Sequence, residues 1–216
     1  MDISVKKYFF KTVLYSLLLV VNPVMATPNP DGGLRMHNDY KGWRKILPTQ
    51  VKVQYAGGMG VLSAGVGWDY GKRNQWESDI MLGYLPRMYS DTAHATFTYR
   101  QTFTPWCKPL GGRFWFEPLS CGLYLNTISG DEFWIKEPCK YGGGYYDFAP
   151  GVRTHLFVGQ RINYKALSQG TLHNVSLYYE FSICDLNIIS KVTNHRLKLT
   201  DIVFFSAGLR FVIIKP

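Results

Sequence analysis

From Gln50 onward the chain alternates between apolar and polar residues with period two, broken by turn residues, and this predicts β-strands. Eight such segments are legible, at about 50–56, 59–70, 75–85, 94–104, 119–128, 152–164, 171–183 and 202–214. Successive side chains of a strand point to opposite faces. In 59–70 the even positions are Leu62, Ala64, Val66, Trp68 and Tyr70, against Ser63, Gly65, Gly67 and Asp69. In 75–85 Trp76, Ile80, Leu82 and Tyr84 oppose Gln75, Glu77, Asp79 and Gly83. In 94–104 Ala95, Phe97, Tyr99 and Phe103 oppose His94, Thr96, Thr98, Arg100 and Thr102. The last three segments repeat the scheme, with Arg153, His155, Arg161, Asn163, Glu180, Ser182 and Arg210 on the polar face.

One face is therefore bulky and aromatic and the other is charged or Gly-rich. The segments are close to the 9–11 residues that a tilted strand needs to cross a bilayer. The expected fold is all-β: a closed antiparallel up-and-down transmembrane barrel of about eight strands over 50–216. Segments one and two are alternatively a single bent strand. Short links at Gly71–Asn74 and Lys165–Gly170 alternate with long ones at 129–151 and 184–201, as expected of short periplasmic turns and long outer loops. The long stretch Pro105–Pro118 and the short Gly57-Gly58 link depart from that alternation. Trp68, Tyr70, Trp76, Phe103, Tyr164 and Phe211 fall on the apolar face near the end where the chain enters and leaves. Tyr55, Tyr84, Tyr179 and Phe181 fall near the other end. This is the expected placement of two aromatic girdles.

The N-terminus changes the picture of location. Lys6 and Lys7 precede the apolar run 12–21, and Val24-Met25-Ala26 is a small-residue cleavage site, so residues 1–26 read as a signal peptide. The run is too short for a spanning helix of about 20 residues. Residues 27–49 read as an irregular lead-in. Removal of residues 1–26 takes away Lys6, Lys7, Lys11 and Asp2, which lowers the net charge from +9 to +7. The bases are dispersed and no nucleic-acid motif is present, so lipids of the outer membrane are the expected neighbours and nucleic acid is not.

In this setting the segments Gln54–Gly57, Ser63–Gly67 (S-x-G-x-G) and Gly83–Pro86 matter. The chain resembles small bacterial outer-membrane barrels, such as the transmembrane domain of outer membrane protein A and the lipid A palmitoyltransferase and deacylase. It also resembles uncharacterised barrels that carry those three segments. The resemblance covers about residues 50–214. It implies an outer-membrane location in a Gram-negative envelope and no particular activity.

The polar face supplies the candidate chemistry. Lys52, Asp69, Glu77, Asp79, Arg100, Arg161 and Arg210 are expected to form a lumen charge network, since eight strands leave room for side chains and not for a pore. His94, His155, Glu180 and Ser182 are weak candidates for a base, an orienter and a nucleophile. The local His-x-Ser pattern of the deacylase is absent, and His173 and Ser176 fall on opposite faces. Asn174-Val175-Ser176 is a chance sequon in mid-strand, and Gly142-Gly143-Gly144 is a loop without phosphate-cradle context. Four cysteines allow three pairings. The topology favours disulfides Cys107–Cys121 and Cys139–Cys184 over free thiols, and nothing in their spacing suggests a metal or cofactor. A non-enzymatic structural or binding role comes first, with aromatic outer loops (Phe133, Trp134, Tyr141, Tyr145, Tyr146) as contact surface. A lipid A or phospholipid acyl hydrolase or transferase is one alternative. A narrow channel or accessory subunit of an envelope complex is another.

Overall fold

A computed structural model of the chain describes Trp43 and residues 46–71, 73–86, 93–129, 152–166, 172–188 and 202–213. The leader 1–26, most of the lead-in and Cys139 lie outside the described residues. The strands are β1 (Gln50–Ala56), β2 (Leu62–Tyr70), β3 (Trp76–Leu85), β4 (His94–Phe103), β5 (Lys108–Gly111), β6 (Phe114–Ile128), β7 (Val152–Lys165), β8 (Leu172–Cys184) and β9 (Val203–Ile213). All neighbours are antiparallel. β9 pairs with β1 and β4 pairs with β6, so eight strands close into a barrel. β1 and β2 are separate strands.

The ninth strand, β5, is a short addition. It pairs only with the first part of β6, whereas the rest of β6 pairs with β4. The expected loop at 105–118 is therefore largely a hairpin. It escapes the alternation because Phe114, Trp115 and Phe116 are apolar on both faces, and because a register shift between Glu117 and Ser120 breaks the period at Pro118.

Barrel strands are staggered. Following paired residues around the wall runs Phe114, Tyr164, Val175, Phe211, Val51, Val66, Ile80, Tyr99 and then Leu125. The circuit thus returns to β6 further along the same strand, as closure by tilted strands requires.

The end at which β1 begins and β9 finishes is called here the terminal end, and the opposite one the loop end. At the terminal end, β2 turns tightly into β3. Gly71 and Asn74 take positive φ (93° and 48°), and the Asn74 N–H donates to Gly71 O at 3.1 Å. At the loop end the β1–β2 link does not project away. Positive φ at Ala56, Gly57 and Gly60 folds it back, so that Met59 is fully buried.

The burial is inverted relative to an ordinary globular core. Among the described residues, 27 buried residues are polar or charged and ten are hydrophobic. Large apolar side chains stand exposed on the outer wall, including Leu62, Ile80, Leu82, Phe97, Leu125, Leu156, Ile162, Leu177 and Leu209. The six residues expected in one girdle all lie on this face. Trp76 and Phe103 stack at 4.5 Å, and Phe114 joins Tyr164 at 5.0 Å. A small polar cluster interrupts the belt. The Gln101 side-chain amide donates to Tyr70 Oη at 2.6 Å, and Ser78 donates to Gln101 Oε1 at 2.7 Å.

Candidate functional site

The interior divides into two parts. The part toward the terminal end is ionic. Lys52 of β1 reaches Glu77 at 2.8 Å and Asp79 at 2.6 Å, both on β3. Arg161 of β7 crosses the lumen to the same Glu77, at 2.5 and 3.0 Å, and reaches Glu117 of β6 at 3.1 Å. Arg210 of β9 holds both oxygens of Asp69 of β2 at 2.7 Å and lies 3.6 Å from Glu77. Arg100 of β4 forks onto Glu180 of β8, with the Nη1–Oε2 arm at 2.9 Å, and lies 3.9 Å from Asp79. Its guanidinium also lies 4.0 Å above the ring of Phe157. All seven residues read as a charge network thus converge in one place, joined by Glu117 and Glu180.

Burial gives this network its strength. Arg100, Arg161, Lys52 and Asp79 are at most 1% exposed. Charges removed from water are tolerated only when paired and hydrogen-bonded. Neutral groups complete the shell. Gln50 donates to Asp79 at 2.8 Å and accepts from Arg210, and Arg100 donates to Gln54 at 3.3 Å and to Thr102 at 3.1 Å. Gly67 makes room, because a Cβ there would come 2.0 Å from Asp79 Oδ1.

Near the terminal end a small cavity of about 20 Å³ is lined by Asp69, Glu77, Glu117, Asn163, Asn174 and Arg210, among others. That is room for about one water molecule. Asn163 Nδ2 and Asn174 Oδ1 are buried there with no partner among the described residues, which is the polar lining such a water needs.

The part toward the loop end is packed. Met59, Met81, Tyr124 and Phe157 form one buried cluster. The inward-folded β1–β2 link is fastened on two sides. Thr96 donates to Met59 O at 2.5 Å, and Asn126 donates to Gly58 O at 2.7 Å. Gly58 packs so closely on the facing wall that a Cβ would come 2.5 Å from His155 Cε1 and 2.7 Å from Tyr124 Oη. The link is a plug seated on aromatic side chains.

The four candidate catalytic residues lie in or near this part and are not joined. Glu180 is taken up by Arg100. Ser182 accepts a hydrogen bond from Tyr124 Oη at 3.0 Å. His155 stacks flat on the Tyr124 ring at 4.5 Å, and its Nδ1 has no hydrogen-bond partner among the described residues. His94 lies at the rim with Nδ1 2.7 Å from Ser129 O. Neither histidine is hydrogen-bonded to Ser182, so the arrangement lacks the nucleophile–base contact that acyl transfer needs.

The cysteines do not pair as expected among the described residues. Cys107, Cys121 and Cys184 are thiols, and no 107–121 bond forms. The reason is face and depth. Cys121 lies in the outer-wall register opposite Phe103 and Val158, half exposed, while Cys107 is 1% exposed. The Cys184 thiol donates to Asp185 at 3.0 Å, and its expected partner Cys139 lies outside the described residues. Among the described residues, no group of His, Cys, Asp and Glu side chains is arranged to hold a metal ion.

Some functional residues were not singled out by the alternation. Glu117 lay in the long stretch Pro105–Pro118, and Met59 was read as the start of the segment 59–70, whereas β2 begins only at Leu62 and Met59 belongs to the link before it. Tyr178, Phe157 and Met81 are apolar residues on the polar face, and Tyr178 donates to Gln54 at 3.1 Å. The period does signal them: each stands an even number of positions from a charged neighbour on its own strand.

No family model, no curated protein and no solved structure matches this chain.

Proposed function

We propose that this chain is an exported outer-membrane β-barrel with a sealed lumen, serving a structural or binding role through its surfaces. The observation that carries the proposal is the inverted burial. Its interior holds charged and polar side chains, and its wall presents a belt of Leu, Ile, Val, Phe and Tyr around the circumference. A water-soluble barrel with that wall would expose far more contiguous apolar surface than soluble monomers do. A hydrocarbon environment makes the same wall favourable, and closure of the eight long strands removes the open edges that an unclosed sheet would expose there. The leader-like residues 1–26 supply the export route, and the resemblance to small outer-membrane barrels points to the same compartment.

The lumen favours a non-conducting barrel over a channel. The ionic shell fills one part and the Met59 plug fills the other. The acyl-transfer alternative has its residue types present but not assembled. The aromatic loops at 129–151 and the segment at 185–202 are then the surfaces for contact with glycan, lipid or protein.

The test is a cell fractionation followed by a gel of unboiled and boiled samples, with purified protein also placed in planar bilayers. The proposal expects the protein in the outer-membrane fraction, a band that shifts on boiling, and no unitary conductance. Recovery in the soluble periplasm without a heat shift contradicts the membrane reading. Steady conductance steps contradict the sealed lumen.

A further inference from the structure

The two ends of the barrel differ in charge. At the terminal end, the described residues that enter β1 (46–49), join β2 to β3 (71 and 73–75), join β4 to β6 through β5 (104–113) and follow β7 (165–166) contain four bases, Arg73, Lys108, Arg113 and Lys165, and no acid. At the loop end, the described residues of the connections (57–61, 86, 93, 129, 185–188 and 202) contain one acid, Asp185, and no base. Among the described residues, the excess of positive charge therefore belongs to one rim. The bases look dispersed along the sequence because each connection carries only one or two of them.

A second feature marks the same rim. Arg73, Arg113 and Lys165 are exposed. The same end carries exposed apolar side chains: Leu110 is 60% exposed and Phe114 49% exposed on the β5–β6 hairpin. On the entering segment, Trp43 is 88% and Ile46 64% exposed. That segment is fixed against the outer wall, because the outward-facing Trp68 indole donates to Ile46 O at 2.8 Å. Its apolar residues thus continue the apolar belt to the level at which the bases begin.

We infer that the terminal end is a docking rim for the headgroups of anionic phospholipid in the adjoining leaflet, with phosphatidylglycerol as the representative chemistry. The inference rests on the membrane reading above and adds which end binds and what it selects. Tryptophan at a membrane interface sits at headgroup depth. Bases at that depth attract anionic lipid, each by about fivefold in association near a charged surface. No acid stands among the described residues of the rim connections to oppose this. Phosphate in the lumen is not the source, since the luminal cations are already paired with carboxylates.

The test uses the full chain folded into phosphatidylcholine bilayers that contain spin-labelled phosphatidylglycerol or spin-labelled phosphatidylcholine. Electron paramagnetic resonance then reports the share of each probe held at the protein. The expected result is a phosphatidylglycerol preference of about threefold or more, which falls as salt rises, as surface charge requires. R73Q/K108Q/R113Q/K165Q should abolish most of it, and K136Q/K140Q/K191Q/K198Q at the loop end should leave it. Equal association of both lipids with a barrel that still shifts on boiling overturns this inference and leaves the membrane reading standing. Loss of the preference only in the loop-end variant also overturns it. If the terminal-end variant does not fold, the salt dependence of the unaltered protein decides. Failure of the unaltered protein to insert at all overturns the membrane reading itself.

Discussion

The Arg100–Glu180 pair gives the most direct access to the state of the lumen. The two residues lie on β4 and β8, meet through both arms of the guanidinium, and are 0% and 2% exposed. Arg100→Met keeps the stem beside Phe157 and removes the charge, leaving the Glu180 carboxylate buried without its cation. Loss of one member of a buried pair costs about 3–5 kcal/mol. Glu180→Gln leaves Arg100 with Asp79 at 3.9 Å as its nearest carboxylate, so its cost lies toward the lower part of that range. In the double variant neither residue carries a charge, and the cost should be well below the sum of the single costs, with a coupling of about 2 kcal/mol or more. The assay is urea unfolding of the barrel in lipid vesicles, followed by tryptophan fluorescence and by the fraction of heat-shifting band. A 3 kcal/mol loss moves the unfolding equilibrium by more than about a hundredfold. Single costs below about 1 kcal/mol that simply add would show both groups to be hydrated, as exposed pairs are. The lumen would then be wet, and the sealed-barrel reasoning would fail.

Four further outcomes follow from the same structure. Gly83→Val should destabilise the barrel and loosen its plug, because even a Cβ there would come 2.1 Å from Met59 O and 2.4 Å from Thr96 Oγ1; a loss above about 2 kcal/mol in the urea assay is expected. Met59→Asp places an unpaired charge in a fully buried apolar cluster and should cost at least about 3 kcal/mol, or else expel the link and raise conductance in planar bilayers. Cys107, Cys121 and Cys184 should each be alkylated in urea without prior reduction, as mapped by peptide mass; their protection until reductant is added would contradict the thiols described here. In folded barrels Cys121 should react with a membrane-permeant maleimide and resist an impermeant one, since it stands on the outer wall beside Phe103.

Much of the wall was legible because closure of a barrel imposes a strict alternation that the chain keeps in most of its strands. Trp76, Ile80, Leu82 and Tyr84 against Glu77, Asp79 and Gly83 leave little choice of face, and the two boundaries of β3 fall within a residue of those expected. The charge network was readable for the same reason: Lys52, Arg100, Arg161 and Arg210 can point only inward if their neighbours point outward. The first part of β6 was hidden by local chemistry. Aromatic residues on both faces and a bulge beside Pro118 cancel the period, so Glu117 was lost with it. The plug was hidden because Met59 and Gly60 read as the start of the segment 59–70, and only the positive-φ backbone at Ala56, Gly57 and Gly60 turns the link back so that Met59 is aimed inward. The Cys107–Cys121 disulfide failed because neighbours in topology need not share a face. Apolar Met81, Phe157 and Tyr178 on the polar face escaped because pattern alone does not say how much volume the network leaves to be filled.

The central claim is that the outer wall of the barrel faces lipid and the inner one does not. Single cysteines placed at successive positions of β3 from Trp76 to Tyr84, in a background with the native cysteines replaced by serine, can carry a small fluorophore. Quenching by brominated acyl chains in reconstituted bilayers then reports contact with hydrocarbon. The account predicts strong quenching at 80, 82 and 84 and little at 79, 81 and 83, with a period of two. Uniform quenching along the strand, or quenching only by an aqueous reagent, would contradict it.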